Sequence, residues 1–171
     1  MKTKPEGVVF FVAGKPMAQP RQRHRIVVVG KDGDGKQASR RKSKRNMYVQ
    51  TYNPANSEPS RWKRKVRAEA AEAFRAYRLG PFDGPVMVRL LCRFALKSKP
   101  CHYRDKKPDI DNLQKLVFDA MNGVAYRDDS QISRVTAIKT ETRDPALAGV
   151  VIRVVPLVQR PAEKKDGPPS A

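Results

Sequence analysis

The sequence predicts an α+β fold, a single small domain of strands with two helices. Residues 85–96 alternate with period two. Val86, Val88, Leu90, Cys92 and Phe94 form a continuous apolar face, and Met87, Arg89, Leu91, Arg93 and Ala95 a mixed one. That is the pattern of a strand covered well on one side. Trp62, Val66, Ala70, Ala73, Phe74 and Tyr77 recur at three- and four-residue spacing, as do Leu113, Leu116, Val117, Ala120 and Met121. Both sets mark helices with one apolar face. The other apolar runs are short and bounded by turn residues. At 171 residues the chain suits one domain with a hydrophobic core.

The elements follow in order. Residues 7–13 read as a buried strand, ended by Gly14-Lys15-Pro16. A loop follows, carrying Lys15, Arg21, Arg23 and Arg25, and a short strand is expected over 26–29. Residues 31–46 read as a mobile basic insertion, because glycines are frequent, apolar residues few, and 39–45 hold five cations. A strand is expected over 47–52. Either Ser57 or Ser60 caps the first helix, and Pro59 fits its first turn. The helix stops near Leu79-Gly80-Pro81. A second helix runs over 112–121, with Asp111 as its N-cap, Gln114 completing a capping box, and Asn122-Gly123 as its stop. Strands over 131–140 and 149–155 are joined by a turn at Asp144-Pro145. The domain spans 1–156, and 157–171 form a disordered tail rich in Pro, Lys and Gly.

Composition narrows the partners. The net charge is +19 and the pI about 10.4, which points to nucleic acid first. An anionic membrane surface is second, but no basic amphipathic helix with a bulky apolar face is present. No apolar run approaches the roughly 20 residues of a membrane span, and the N-terminus lacks a signal-peptide pattern. Two cysteines and two histidines cannot make a zinc site of usual spacing. Cys92 reads as a small buried thiol in a cytosolic protein.

Against that background Asp109, Asp111, Asp119, Asp128 and Asp129 fall within 21 positions. Pro108 disfavours helical geometry at Lys107, so the chain enters extended. Asp109 and Asp111 then point to one side, beside a helix start. A helix of about ten residues is roughly 15 Å long, and eight extended residues cross about 23 Å or more. A turn at Gly123 is therefore expected to bring Asp128 or Asp129 back to the Asp109/Asp111 end. Adjacent strand residues face opposite ways, so one of the pair binds the ion. Gathered carboxylates repel without a cation, and hard oxygens select Mg²⁺ or Mn²⁺ over zinc. Lys115, one turn after Asp111, is placed to meet a phosphate and stabilise developing charge. Asp119 reads as an ion-pair partner of Lys115 or a solvent-facing residue. The plainer alternatives are that Asp111 only caps, that Asp128-Asp129-Ser130 only turns, and that Lys115 and Asp119 are a surface pair.

The ordered block Pro108-Asp109-Ile110-Asp111-Asn112-Leu113-Gln114-Lys115, then Phe118-Asp119-Ala120, then Asp128-Asp129-Ser130-Gln131 resembles the signature of the RusA family of Holliday-junction resolvases. These are small endodeoxyribonucleases carried mainly by bacteria and their prophages. Gly14-Lys15-Pro16, Arg21, Arg23 and Tyr52-Asn53-Pro54 extend the resemblance to about residues 8–156. It implies a small mixed sheet of about four main strands with two helices packed on it. It implies a homodimer that cuts opposing strands of a four-way DNA junction symmetrically. It also implies Mg²⁺ (Mn²⁺ in substitution) held by Asp109, Asp111 and Asp129, with Lys115 catalytic and Asp128 and Asp119 behind the ligands. The chain departs from the family in its longer insertion, its extra tail, and Gln19 where a lysine is frequent.

Lys15, Arg21, Arg23, Arg25, the 40–45 run with Arg40, Arg41 and Lys42, and the 97–107 loop with Lys106 and Lys107 are expected to hold DNA backbones. Such contacts are largely insensitive to base sequence and weaken with salt. Trp62, Phe74 and Tyr77 lie at core spacing and read as packing residues. Two other functions compete. A non-catalytic basic nucleic-acid-binding module explains the charge but leaves the aspartates without purpose. A metal nuclease for flaps or other branched DNA shares every feature.

Overall fold

The computed structural model describes residues 7–20, 23–29, 46–52, 57–96 and 102–158. Its elements are β1 (Val8–Ala13), β2 (Arg23–Val29), β3 (Asn46–Tyr52), α1 (Glu58–Ala76), β4 (Val86–Ala95), α2 (Ile110–Met121), β5 (Ile132–Thr142) and β6 (Gly149–Pro156). Four strands form a mixed sheet in the order β1-β6-β4-β5. β5 runs parallel to β4, and β6 is antiparallel to both β1 and β4. β2 and β3 form a separate antiparallel ribbon, from Arg23 opposite Tyr52 to Val29 opposite Asn46. The class is α+β, as expected. The basic run at 31–45 and the end of the tail lie outside the described residues.

The core follows from the alternation in β4. Val86, Val88, Leu90, Cys92 and Phe94 are all buried under the helices. Trp62, Val66, Ala70 and Phe74 cover them from α1, and Leu113, Leu116, Val117, Ala120 and Met121 from α2. Burying each larger apolar side chain contributes about 1.5–3 kcal/mol. Cys92 is free, and burial pushes its thiol up to about 12. The opposite face of the sheet is less covered, and Val9 and Phe11 stay partly exposed.

Ser57 caps α1, accepting from the Ser60 amide at 3.4 Å, with Pro59 in the first turn. The helix ends where Arg78 adopts φ 55° and Leu79 N–H returns to the Phe74 carbonyl at 2.9 Å. Gly149 permits a close approach between β6 and β1. A Cβ there would stand 2.3 Å from the Val12 carbonyl oxygen.

Several boundaries differ from the sequence reading. β2 begins at Arg23 and not at residue 26, so Arg23 and Arg25 lie in the strand and not in the loop before it. α2 begins at Ile110, so its N-cap is Asp109 and not Asp111. The capping box lies elsewhere: Asp128 and Gln131 form one across a 3-10 turn at Asp129–Gln131. That turn stands where a strand start was expected, and β5 begins after it.

Candidate active site

Sheet topology fixes where α2 points. At the far end of β5, Lys139 Nζ donates to the Pro108 carbonyl at 2.9 Å and the Lys106 carbonyl at 3.0 Å. At the near end, Gln131 Nε2 donates to the carbonyls of Phe82 at 3.0 Å and Gly84 at 2.7 Å, just before β4. The N-terminus of α2 therefore sits beside the far ends of β4 and β5, and the 3-10 turn beside their near ends.

Asp109 and Asp111 lie together at that N-terminus, both exposed. Asp109 occupies the cap position in extended geometry, yet its side chain makes no capping bond. The Lys107–Pro108 peptide just before it is cis. Among the described residues neither carboxylate has a hydrogen-bond or ion-pair partner, and neither does the Lys115 ammonium one turn further on. A carboxylate at a helix N-terminus is favoured by the helix dipole. Asp111 falls inside the helix and not in an extended segment, so the alternation expected to aim both carboxylates one way does not apply; both remain hard oxygen donors, suited to Mg²⁺ or Mn²⁺.

Asp129 does not join them within this chain. The chain does turn at Gly123, φ 73°, whose N–H donates to the Tyr126 carbonyl at 2.7 Å. That turn brings Tyr126 back to the flank of α2, where its hydroxyl donates to the Phe118 carbonyl at 3.0 Å. Arg127 then pairs with Asp83 at 2.8 Å, and the 3-10 turn follows. From Ile132 to Lys139 the strand carries the chain about 23 Å. Asp129 is thus left near the opposite end of α2, roughly 18 Å long by its rise per residue. Among the described residues no three His, Cys, Asp or Glu side chains are gathered closely enough to hold a metal ion.

Asp128 and Asp129 divide their tasks. Asp128 Oδ1 accepts from the Ser130 amide at 3.0 Å, and hydrogen bonds from Ser130 hold its carboxyl below the usual range. Gln131 Oε1 accepts from the amides of Arg127 at 2.7 Å and Asp128 at 3.2 Å. Asp128 is therefore engaged in the turn, whereas the Asp129 carboxylate has no partner among the described residues. Burial raises the Tyr126 hydroxyl well above its ordinary value, helped by Asp129, Asp119 and Asp128.

Asp119 pairs with Lys63 of α1 at 3.1 Å, and Gln19 donates to it at 3.4 Å. The expected Lys115–Asp119 pair is absent. An ion pair between helices replaces one along a helix, because α1 brings Lys63 against that face of α2.

A cleft of about 480 Å³ opens beside Asp109, lined by Lys15, Phe94, Arg104, Lys107 and Asn112 among others. The loop after β1 closes one wall, where Gln19 N–H donates to the Asn112 carbonyl at 2.9 Å. Lys15 and Lys107 thus stand where the sequence expected cations near the site, and Lys106 is exposed on the same loop. Arg23 and Arg25 lie in β2. Arg21, Arg40, Arg41 and Lys42 lie outside the described residues.

Sequence reasoning missed Lys139, Arg104 and Glu141. Arg104 bonds Glu141 at 2.6 Å, lies 4.6 Å from the Phe94 ring centroid, and donates to the Lys107 carbonyl at 3.0 Å. A signal was present: Val135, Ala137, Lys139 and Glu141 share the helix-facing side of β5, and charges on a core-facing register ask for partners.

A mixed sheet with two helices on one face, and paired free carboxylates at a helix start beside a cationic cleft, define a small nuclease-like α+β domain. The family model described as Endodeoxyribonuclease RusA matches residues 32–154, well over half of the chain. The chain belongs to the RusA family of endodeoxyribonucleases, enzymes that resolve Holliday junctions, bind branched DNA and depend on a divalent metal. No curated protein sequence matches it.

Proposed function

We propose that this chain is a Mg²⁺-dependent endodeoxyribonuclease that resolves four-way junctions by paired, symmetric incision as a homodimer. Its setting is DNA recombination and repair in the bacterial cytoplasm, and Mn²⁺ substitutes for Mg²⁺. One observation carries the reading. Among the described residues Asp109 and Asp111 at the start of α2, Lys115 one turn on, and Asp129 near the other end are charges without partners.

In donor type these residues fit a hard divalent cation. In number they do not within one chain, since Asp109 and Asp111 lack a third carboxylate. A second copy supplies it. β5 is the edge strand of the described sheet; the Arg104 amide takes its Lys139 carbonyl, which leaves the stretch before Lys139 to pair with another chain. Two-fold antiparallel pairing of β5 with its copy lays the start of one strand along the end of the other. The partner's Asp129 then comes to the end of β5 where Lys139 holds Pro108, next to Asp109 and Asp111.

A bound cation would lower the pKa of water and neutralise charge on the phosphoryl group. Asp109, Asp111 and the partner's Asp129 would hold that cation. Lys115 meets the non-bridging phosphate oxygens and stabilises the charge that grows on them in the transition state. Lys15 and Lys107 hold the strand in the cleft through its backbone. In-line attack by water leaves a 5′-phosphate and a 3′-hydroxyl. Two-fold symmetry sets two such sites on opposing strands.

The test is subunit mixing. Asp109→Asn and Asp129→Asn homodimers should each bind a synthetic junction and fail to cut it. A mixed dimer keeps one intact site if Asp129 acts across the two-fold, so about a quarter of the wild-type site concentration should return in a random mixture. Nicking by the mixture supports the reading. No activity on mixing, from proteins shown to exchange subunits, sinks the shared site.

A further inference from the structure

Three successive carbonyls, those of Lys106, Lys107 and Pro108, point at two cations. Lys139 Nζ takes the first and third, and Arg104 the second. Both cations are rooted in β5. Lys139 belongs to that strand, and its carbonyl accepts from the Arg104 amide at 3.0 Å. Arg104 is held by Glu141, whose side chain is 4 % exposed. Arg104 also stacks on Phe94 of β4.

The position of this clamp gives it a consequence for the site. The Pro108 carbonyl belongs to the peptide that precedes Asp109, so fixing it fixes the plane from which the Asp109 backbone departs. Asp109 makes no capping bond of its own, so nothing local to α2 holds its side chain. Among the described residues, the hydrogen bonds that hold the approach to Asp109 come from Lys139 of β5 and from Arg104, itself bonded to that strand. Among the described residues Lys139 has no carboxylate partner. Its hydrogen bonds go to main-chain oxygens, an arrangement that orders a loop.

We infer that Lys139, with Arg104 behind it, is a positioning residue that sets the Asp109 carboxylate for cation binding. This rests on the proposed role of Asp109 as a ligand. The clamp also couples ligand geometry to β5, the strand through which a second copy is proposed to join. Formation of the pair and readiness of the metal site then depend on one strand.

Lys139→Met tests it, since methionine keeps much of the aliphatic stem and removes the donor. The first readout is Mn²⁺ binding by the full chain, followed by water-proton relaxation without DNA. The second is the Mg²⁺ concentration giving half-maximal single-turnover cleavage of a four-way junction. The third is junction affinity in Ca²⁺. Lys139→Met should weaken Mn²⁺ binding and raise the half-maximal Mg²⁺ about tenfold. Junction affinity should stay within about twofold, and high Mg²⁺ should restore the rate. A purely structural role would lower the melting temperature and leave the metal dependence of the folded fraction unchanged, which overturns the inference. Unchanged Mn²⁺ binding with a lower rate at every Mg²⁺ concentration also overturns it. Should Lys139→Met not fold, Arg104→Lys serves: it keeps a cation for Glu141, loses the fork to the Lys107 carbonyl, and should move metal dependence the same way by a smaller factor. Wild type that binds Mn²⁺ in a Lys139-dependent way but cuts no junction would sink the nuclease reading and leave the clamp standing.

Discussion

Asp128 and Asp129 are neighbours with opposite duties. The first is bound into its own turn by Ser130 and Gln131, and the second is not. Asp129→Asn should reduce junction cleavage to about a hundredth or less, whereas Asp128→Asn should cost about tenfold or less. Single-turnover rates at saturating Mg²⁺ distinguish them, and equal losses would contradict the division. The lowered Asp128 carboxyl also has a pH consequence. Its folded value lies below the unfolded one, so its contribution to stability is present above the ordinary carboxylate range. That contribution is lost as pH falls through the folded value. Comparing acid denaturation of wild type and Asp128→Asn should show the mutant less sensitive in that range. The sequence reading anticipated that only one of this pair would be available. Spacing alone could not choose between them, and only the resemblance named Asp129, because the deciding bond runs from the Ser130 amide and depends on a 3-10 turn that no periodicity announces.

At the scale of elements, the turn at Asp129–Gln131 is set by Gln131. Its side chain joins the Arg127 and Asp128 amides to the Phe82 and Gly84 carbonyls. Gln131→Ala leaves these groups without that partner. It should cost about 1–3 kcal/mol in urea unfolding and slow cleavage by letting Asp129 wander. A change below half a kilocalorie would show that water replaces the amide. Helices, β4 and most strand limits were legible because burial imposes a period on their residues. The start of α2 was misplaced because Asp109 and Asp111 are both plausible caps, and only the backbone at Asp109 separates them. The fold-back to Asp109 failed for a different reason. Contour length shows that eight residues can span the helix, but here five of them are spent on the tight turn that buries Tyr126 under Phe118.

For the whole molecule, a net charge of +19 means that DNA binding should be dominated by displaced counterions. A surface making six to ten phosphate contacts loses about 10³–10⁵ in affinity between 50 and 200 mM salt. Junction binding measured over that range should show such a slope, and a flat profile would oppose backbone recognition. Light scattering should give twice the mass of one chain at concentrations where cutting is seen. Active protein that remains a monomer would defeat the shared site. Charge, class and chemistry were legible in the residues, since each is local or additive. Assembly was not, because the order of strands in a sheet determines which one is left at the edge, and strand order is invisible to pattern.

Gly149 lets β6 nestle against the Val12 carbonyl, and β1 leads straight into the loop bearing Lys15 and Gln19. A single methyl added there, on a strand that carries none of the acidic ligands, would wedge the first strand outward and loosen the wall of the DNA cleft. Such a lesion would behave as a temperature-sensitive allele: competent chemistry when cold, and substrate escaping before incision when warm.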